Sequence, residues 1–195
     1  MNTEYQKSLA HFEQWMRSFD WEPDHMIQVA RLSTKLFDQL KPLHNLGMEE
    51  RFLLEAAALT HDIGFQINES SHHKISRDLI LEHDFPGIEE RPRQIIALIA
   101  RYHRKSVPKL KHKDFDSLDS KDQDLVILLS AILRLADGLD RSHNSIIKDI
   151  DCRIQSGVIA ICLKTRGESS LERYGGEKKK PLIEDVFGKK VIFEF

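Results

Sequence analysis

His61 and Asp62 close the apolar run Ala56-Ala57-Ala58-Leu59-Thr60 and stand just before Gly64. An imidazole beside a carboxylate at the inner end of an apolar helix makes poor packing, because a buried charge needs an opposite charge or a cation. On helical spacing Leu54, Ala57, Ala58 and His61 share one face, so the pair is expected inside the protein. Other polar residues have the same character: His25 heads the row Val29, Leu32, Leu36 and Leu40, and His72 lines up with Ile75 and Leu79. His103 follows Ile96 and Ile99, and Asp137 follows Val126, Leu129 and Leu133. One inward histidine is usually a satisfied core residue. Imidazoles and carboxylates supplied by five helices cannot all be left unpaired, and borderline divalent metals take imidazole nitrogen and carboxylate oxygen. These residues therefore predict a metal centre drawn from His25, His61, Asp62, His72, His103 and Asp137. His73 is the poorer candidate, since a helix that aligns His72 with Ile75 and Leu79 turns His73 about 100° away.

The elements that must carry these residues follow from periodicity and end signals. Tyr5, Leu9, Phe12, Met16 and Phe19 make the first twenty residues an amphipathic helix with an aromatic stripe. Pro23 suits the start of a second helix, over 24 to about 40, with Pro42 and Gly47 breaking the chain after it. A third helix is predicted over 49–63, ending at Gly64. Ser71 can cap a fourth, from 72 to about 83, which Pro86-Gly87 closes. A fifth covers 92–103, residues 109–119 read as a loop, and Ser120 with Gln123 reads as a capping box that opens a long helix to about residue 140. After 149 the pattern alternates: Ile150, Cys152 and Ile154, then Ile159, Ile161 and Leu163, flank Ser156-Gly157 as a two-residue hairpin. That turn pairs Cys152 with Ile161 and points Cys162 to the other face, so both thiols are expected to be free. Residues 168–187 read as helical but interrupted by Gly175-Gly176, and Val191, Phe193 and Phe195 as a last strand. The predicted fold is mostly α: a helical domain over 1–148 and a small α/β extension (hairpin, helix, strand) over 149–195.

With 195 residues, 41% hydrophobic and 31% charged, the chain can bury one sizeable core and a site within it. A formal net charge of −2 gives no whole-protein field for nucleic acid, which weighs against a nuclease. Lys178-Lys179-Lys180 reads first as a solvated helix face and only second as an anion contact. No membrane partner is expected, because no run of eighteen apolar residues occurs; the start, residues 1–7, lacks a signal-peptide core, and a cytoplasmic location is predicted.

The order His25, His61-Asp62, Asp137 resembles that of the HD-domain metal-dependent phosphohydrolases. More specifically, His72-His73-Lys74-Ile75-Ser76, Arg101-Tyr102-His103-Arg104-Lys105-Ser106-Val107-Pro108 and Leu135-Ala136-Asp137-Gly138-Leu139-Asp140-Arg141-Ser142-His143 resemble the C-terminal HD module of the exopolyphosphatase and guanosine pentaphosphate phosphatase family. Leu171-Glu172-Arg173 and Val186-Phe187-Gly188 are similar to the tail that follows it there, so nearly the whole chain is covered. The resemblance implies an HD helical fold and one or two divalent ions (Mn, Mg, Fe, Co or Ni). His25, His61, Asp62 and Asp137 would hold the first, with Asp62 bridging to a second on His72 and His103. Asp62, His72 and His103 would then carry catalysis. The chemistry implied is hydrolysis of a phosphate ester or anhydride, in which divalent ions activate water and clamp phosphate oxygens. Lys74, Arg101, Arg104, Lys105 and Arg141 flank the ligands and are candidates to pair with phosphate oxygens, although basic residues are also common at solvated helix ends. Full-length members of that family carry an N-terminal actin-like module to which the polyphosphatase chemistry is attributed. Nothing in this sequence corresponds to it, so the expected substrate is only a class: a nucleotide, polyphosphate or another phosphorylated small molecule. A homodimer is compatible with the sequence. The alternative function is a non-catalytic regulatory module that holds a phosphate-rich ligand or a partner protein.

Overall fold

The computed structural model describes residues 3–19 and 21–194. In chain order the elements are α1 (Thr3–Arg17), α2 (Pro23–His44), α3 (Met48–Thr60), α4 (His72–Glu82), α5 (Glu90–Arg101), α6 (Lys113–Asp116) and α7 (Ser120–Gly138), then β1 (Ile147–Gln155), β2 (Val158–Thr165), α8 (Ser170–Lys179), α9 (Pro181–Phe187) and β3 (Lys190–Glu194). The protein is mostly α, with a small sheet near its C-terminal end. α3 is its axis. Ala56, Ala57 and Ala58 are fully buried, and side chains this small let α1, α2, α5 and α7 pack around one helix with little side-chain entropy lost. The predicted rows Val29, Leu32, Leu36, Leu40 of α2 and Val126, Leu129, Leu133 of α7 are all buried. Among the described residues no helix is long and apolar enough to cross a membrane.

Several boundaries differ from those the sequence predicts, each for a local reason. Pro42 lies inside α2 rather than ending it; the helix stops at Asn45, a left-handed residue (φ 58°, ψ 15°) whose N–H donates to the Lys41 carbonyl at 2.9 Å. A proline in the last turn removes only one helical hydrogen bond. α3 ends at Thr60, which puts His61 at the cap and Asp62 in the turn beyond. Gly64 is there for closeness: a Cβ on it would lie 2.7 Å from the His72 carbonyl oxygen and 2.8 Å from Ile75 Cβ, so only glycine lets α4 approach the His61-Asp62 turn. On α4 the buried residues are His72, His73, Ser76 and Ile80, while Ile75 and Leu79 are half-buried. The line His72-Ile75-Leu79 thus runs along the margin of the core. Ser71 occupies the N-cap position, but its hydroxyl donates to Asn68 Oδ1 at 2.9 Å instead of capping. Part of the predicted loop 109–119 is the short helix α6. The α7 cap is Asp119, whose carboxylate accepts the Asp122 N–H at 2.9 Å, one residue before the predicted Ser120; a carboxylate there also suits the helix dipole. Gly175-Gly176 do not interrupt α8, which runs through them. The break comes at Pro181, suited to the first turn of α9.

The sheet has the order β1-β2-β3, antiparallel between β1 and β2 and parallel between β2 and β3, with α8 and α9 forming the crossover that a parallel pair requires. Phe195, predicted in the last strand, lies outside the described residues. The free edge of β1 is covered by α2. Gln39 Nε2 donates to the Ile150 carbonyl at 2.7 Å while its Oε1 accepts the Cys152 N–H, and Gln28 Nε2 donates to the Ile147 carbonyl at 2.7 Å. The Gln39 amide therefore stands in for a neighbouring strand. The hairpin has the predicted register: Cys152 opposes Ile161, Cys162 faces the other way, and both thiols are free. Burial pushes the Cys152 thiol up to about 12, whereas Cys162 Sγ lies 3.0 Å from the Arg153 guanidinium. A thiolate is the reactive form. Thiol titration should therefore find both cysteines free in denatured, unreduced protein, with Cys162 labelling ahead of Cys152 in the native state; no titratable thiol, or the reverse order, would contradict this register.

Candidate metal centre

His25 in the first turn of α2, His61 and Asp62 at the end of α3 and Asp137 in the last turn of α7 converge on one point. His25 Nε2 is 4.0 Å from Asp62 Oδ2 and 3.7 Å from Asp137 Oδ1, and His61 Nε2 is 3.6 Å from Asp62 Oδ1 and 4.0 Å from Asp137 Oδ1. These separations exceed hydrogen-bond lengths. Beside them stands a second set. His72 opens α4, and His103 follows α5 in a tight turn. Their Nε2 atoms lie 3.1 and 3.3 Å from Asp62 Oδ1 and 3.2 Å from each other. In each of the groups His25, His61, Asp62 and Asp62, His72, His103, the ligand atoms all fall within 4.8 Å of one another. Asp62 belongs to both.

The histidines are set up alike. Nδ1 of His25 faces Asp140 Oδ2 at 2.9 Å, while Nδ1 of His61, His72 and His103 faces the carbonyls of Ala58, Glu69 and Ala100 at 2.8, 2.8 and 2.7 Å. In a neutral imidazole, an Nδ1–H donated to such an acceptor leaves the Nε2 lone pair free, and all four Nε2 atoms point inward. His25 Nε2, His61 Nε2 and Asp62 Oδ1 are buried without a well-directed hydrogen bond. Each buried orphan costs about 1–3 kcal/mol, so three in one place suit a divalent cation that takes nitrogen and oxygen ligands. Burial lowers His61 and His103, keeping them neutral as a metal requires. Burial acts the same way on His25, but Asp137 and Asp140 outweigh it and raise that imidazole to about 10; an arriving ion must displace a proton there. Burial would raise the Asp137 carboxyl, yet chiefly Lys179 beside it holds that group well below the usual carboxylate range.

The centre lies at the floor of a cavity of about 420 Å³, bounded by Asp62, His72, His103 and Asp137 and, toward solvent, by Arg104, Lys105, Arg141, Tyr174, Lys178 and Lys179. Of the predicted phosphate-pairing residues, Arg104, Lys105 and Arg141 line it. Lys74 is exposed elsewhere on α4, and Arg101 is buried with its guanidinium 5.4 Å from the Tyr102 ring centre. Lys74 is two residues on from His72, which on a helix turns it roughly 200° away. Arg104 Nη1 sits 3.2 Å from His72 Nε2.

Several residues of the site are not evident from sequence. Lys179 is not a solvated residue: its Nζ donates to Asp137 Oδ2 at 2.7 Å and to the His103 carbonyl at 3.0 Å, and Lys180 Nζ donates to the Val191 carbonyl at 3.0 Å. Lys178 keeps a solvent-side position, 4.4 Å from the Tyr174 ring centre. Asp140 is fully buried and holds His25 through Oδ2 while Oδ1 accepts the Ser145 N–H at 2.9 Å. Its place three residues after Asp137 was an available helical signal. His143 stacks on His25 with ring centres 3.7 Å apart and bonds to Glu22.

All six predicted ligands fall within residues 9–173, the span matched by a family model described as Ppx/GppA phosphatase, domain III. With that match over most of its length, the chain belongs to the Ppx/GppA phosphatase domain III family.

Proposed function

We propose that the protein is a metal-dependent phosphohydrolase of the HD type, acting on a nucleotide, polyphosphate or another phosphorylated small molecule. The observation that carries this reading is the trio of buried atoms without a well-directed hydrogen bond, His25 Nε2, His61 Nε2 and Asp62 Oδ1, beneath a cavity with a cationic rim. His25, His61, Asp62 and Asp137 would hold one divalent ion, and Asp62, His72 and His103 a second. Such ions, when bound, supply Lewis acidity toward phosphate oxygens and lower the pKa of water at the site. The chain's own groups do the rest. The Nε2 atoms of His72 and His103 flank Asp62 Oδ1, where the reacting phosphate would be gripped. Arg104 and Arg141 can grip phosphate oxygens as forks, and Lys105 and Lys178 as point charges. A cavity of this size admits a small phosphorylated molecule.

The test is phosphate or pyrophosphate release from a panel of nucleotides, phosphomonoesters and polyphosphate with Mn, Mg, Fe, Co and Ni. Turnover is expected to require the metal. His103→Ala should lower kcat more than it raises KM, because a group engaged in the transition state acts on the chemical step, and Arg104→Ala should chiefly raise KM. No turnover with any metal, while a phosphate-rich ligand still binds and loses affinity on Arg104→Ala, would make the protein a binding module instead.

A further inference from the structure

We propose that Lys179, carried by α8 of the C-terminal extension, is a positioning residue that restricts Asp137 to one ligating oxygen and so adds to the discrimination against calcium that the imidazole ligands already give the metal centre. The proposal rests on the metal-centre reading. The two oxygens of Asp137 have divided tasks: Oδ1 faces His25 Nε2 at 3.7 Å and His61 Nε2 at 4.0 Å, whereas Oδ2 is held by Lys179 Nζ at 2.7 Å. The ammonium is anchored a second time, by the His103 carbonyl at 3.0 Å, and so spans the two ligand sets. Lys179 lies beyond the residues matched by the family model.

The placement is built into the backbone. α8 meets α7 where Gly175 and Gly138 touch: a Cβ on Gly175 would lie 2.1 Å from the Gly138 carbonyl oxygen, and a Cβ on Gly138 would lie 2.8 Å from Lys179 Cγ. The lysine stem therefore crosses over Gly138, and Lys179, four residues after Gly175, is one helical turn along the same face. An oxygen that accepts a short charge-assisted bond is poorly available as a second ligand. Calcium takes carboxylates through one or two oxygens within a flexible shell of six to eight oxygens and gains from each further oxygen, whereas smaller divalent ions need fewer ligands in stricter geometry. Holding back Oδ2 therefore costs calcium more than it costs manganese or magnesium.

The measurement is calorimetric titration of the whole chelator-treated chain with Mn²⁺ and with Ca²⁺, on wild type, Lys179→Met and Lys179→Arg. The ratio of the two affinities is the informative quantity. Removing a positive charge strengthens both divalent ions alike, but freeing Oδ2 favours only the ion that uses it. The Mn²⁺ preference should fall about tenfold in Lys179→Met, the size typical of disturbing a group that holds a metal ligand, and Lys179→Arg should keep it by supplying another donor to Oδ2. If Lys179→Met does not fold, Lys179→Ala reads the same ratio. An unchanged ratio in a folded truncation, with wild type binding Mn²⁺, overturns this proposal alone; wild type that binds neither ion overturns the metal centre itself.

Discussion

Asp62→Ala is expected to lose bound metal and phosphohydrolase turnover together. Asp62 is the one residue shared by both ligand groups, so its removal withdraws an anionic ligand from each. Disturbing a residue that merely orients a ligand costs about 10–100-fold in metal affinity or activity. A shared ligand should therefore cost more than about 100-fold in kcat/KM, and elemental analysis should find the variant depleted of metal. Asp62→Asn keeps the volume but removes the charge, and should behave the same way. Circular dichroism separates this from unfolding, since α3 packs through Leu54, Ala57 and Ala58 and not through the carboxylate. Equal metal content in wild type and Asp62→Ala would mean that the His/Asp cluster is structural.

Gly175→Ala should damage both stability and site. In an ordinary helix interior this change would help, by roughly 0.5–1 kcal/mol of backbone propensity. Here the new methyl would lie 2.1 Å from the Gly138 carbonyl oxygen and 3.0 Å from Arg141 Cβ, and the first of these is backbone, which has no rotamer through which to yield. Overpacking costs about 1–3 kcal/mol and more where relief is blocked, so steric cost outweighs propensity. A net loss of about 2 kcal/mol corresponds to a drop of roughly 4–8 °C in Tm for a chain of this size. Because α8 must lift from α7, the Lys179 contact to Asp137 should loosen as well. Thermal unfolding checks the first part, and the Mn²⁺/Ca²⁺ affinity ratio the second. A Tm equal to or above that of wild type would contradict the close helix contact.

The convergence of His25, His61, His72, His103 and Asp137 was legible because each ends or heads an apolar helical row, a pattern that three-to-four spacing exposes in a bare sequence. His72 shows where that reasoning has limits: it reaches Asp62 from the first residue of α4, beside a buried face formed by His73, Ser76 and Ile80. The hairpin register followed from Ser156-Gly157, since a two-residue turn leaves only one alignment. Helix ends were less legible. Asp119 and Ser120 are both competent caps, and tertiary packing decides between them. Lys179 was hidden for a different reason: in sequence it is the middle of a lysine run, indistinguishable from a solvated face. The close Gly138–Gly175 contact, between helices distant in the chain, brings its ammonium to Asp137. Lys74 and Arg101 failed as cavity residues because adjacency to a ligand in sequence does not preserve direction around a helix.

The metal centre is tested most directly by elemental analysis of the purified chain, followed by thermal unfolding after chelation and after return of Mn²⁺. One or two equivalents of a divalent metal per chain should be found, and chelation should lower Tm. Mn²⁺ at a hundred times its dissociation constant should restore about 2.7 kcal/mol, or roughly 5–10 °C. A chain that retains no metal, and whose Tm is the same with and without each of the candidate ions, would contradict the central claim.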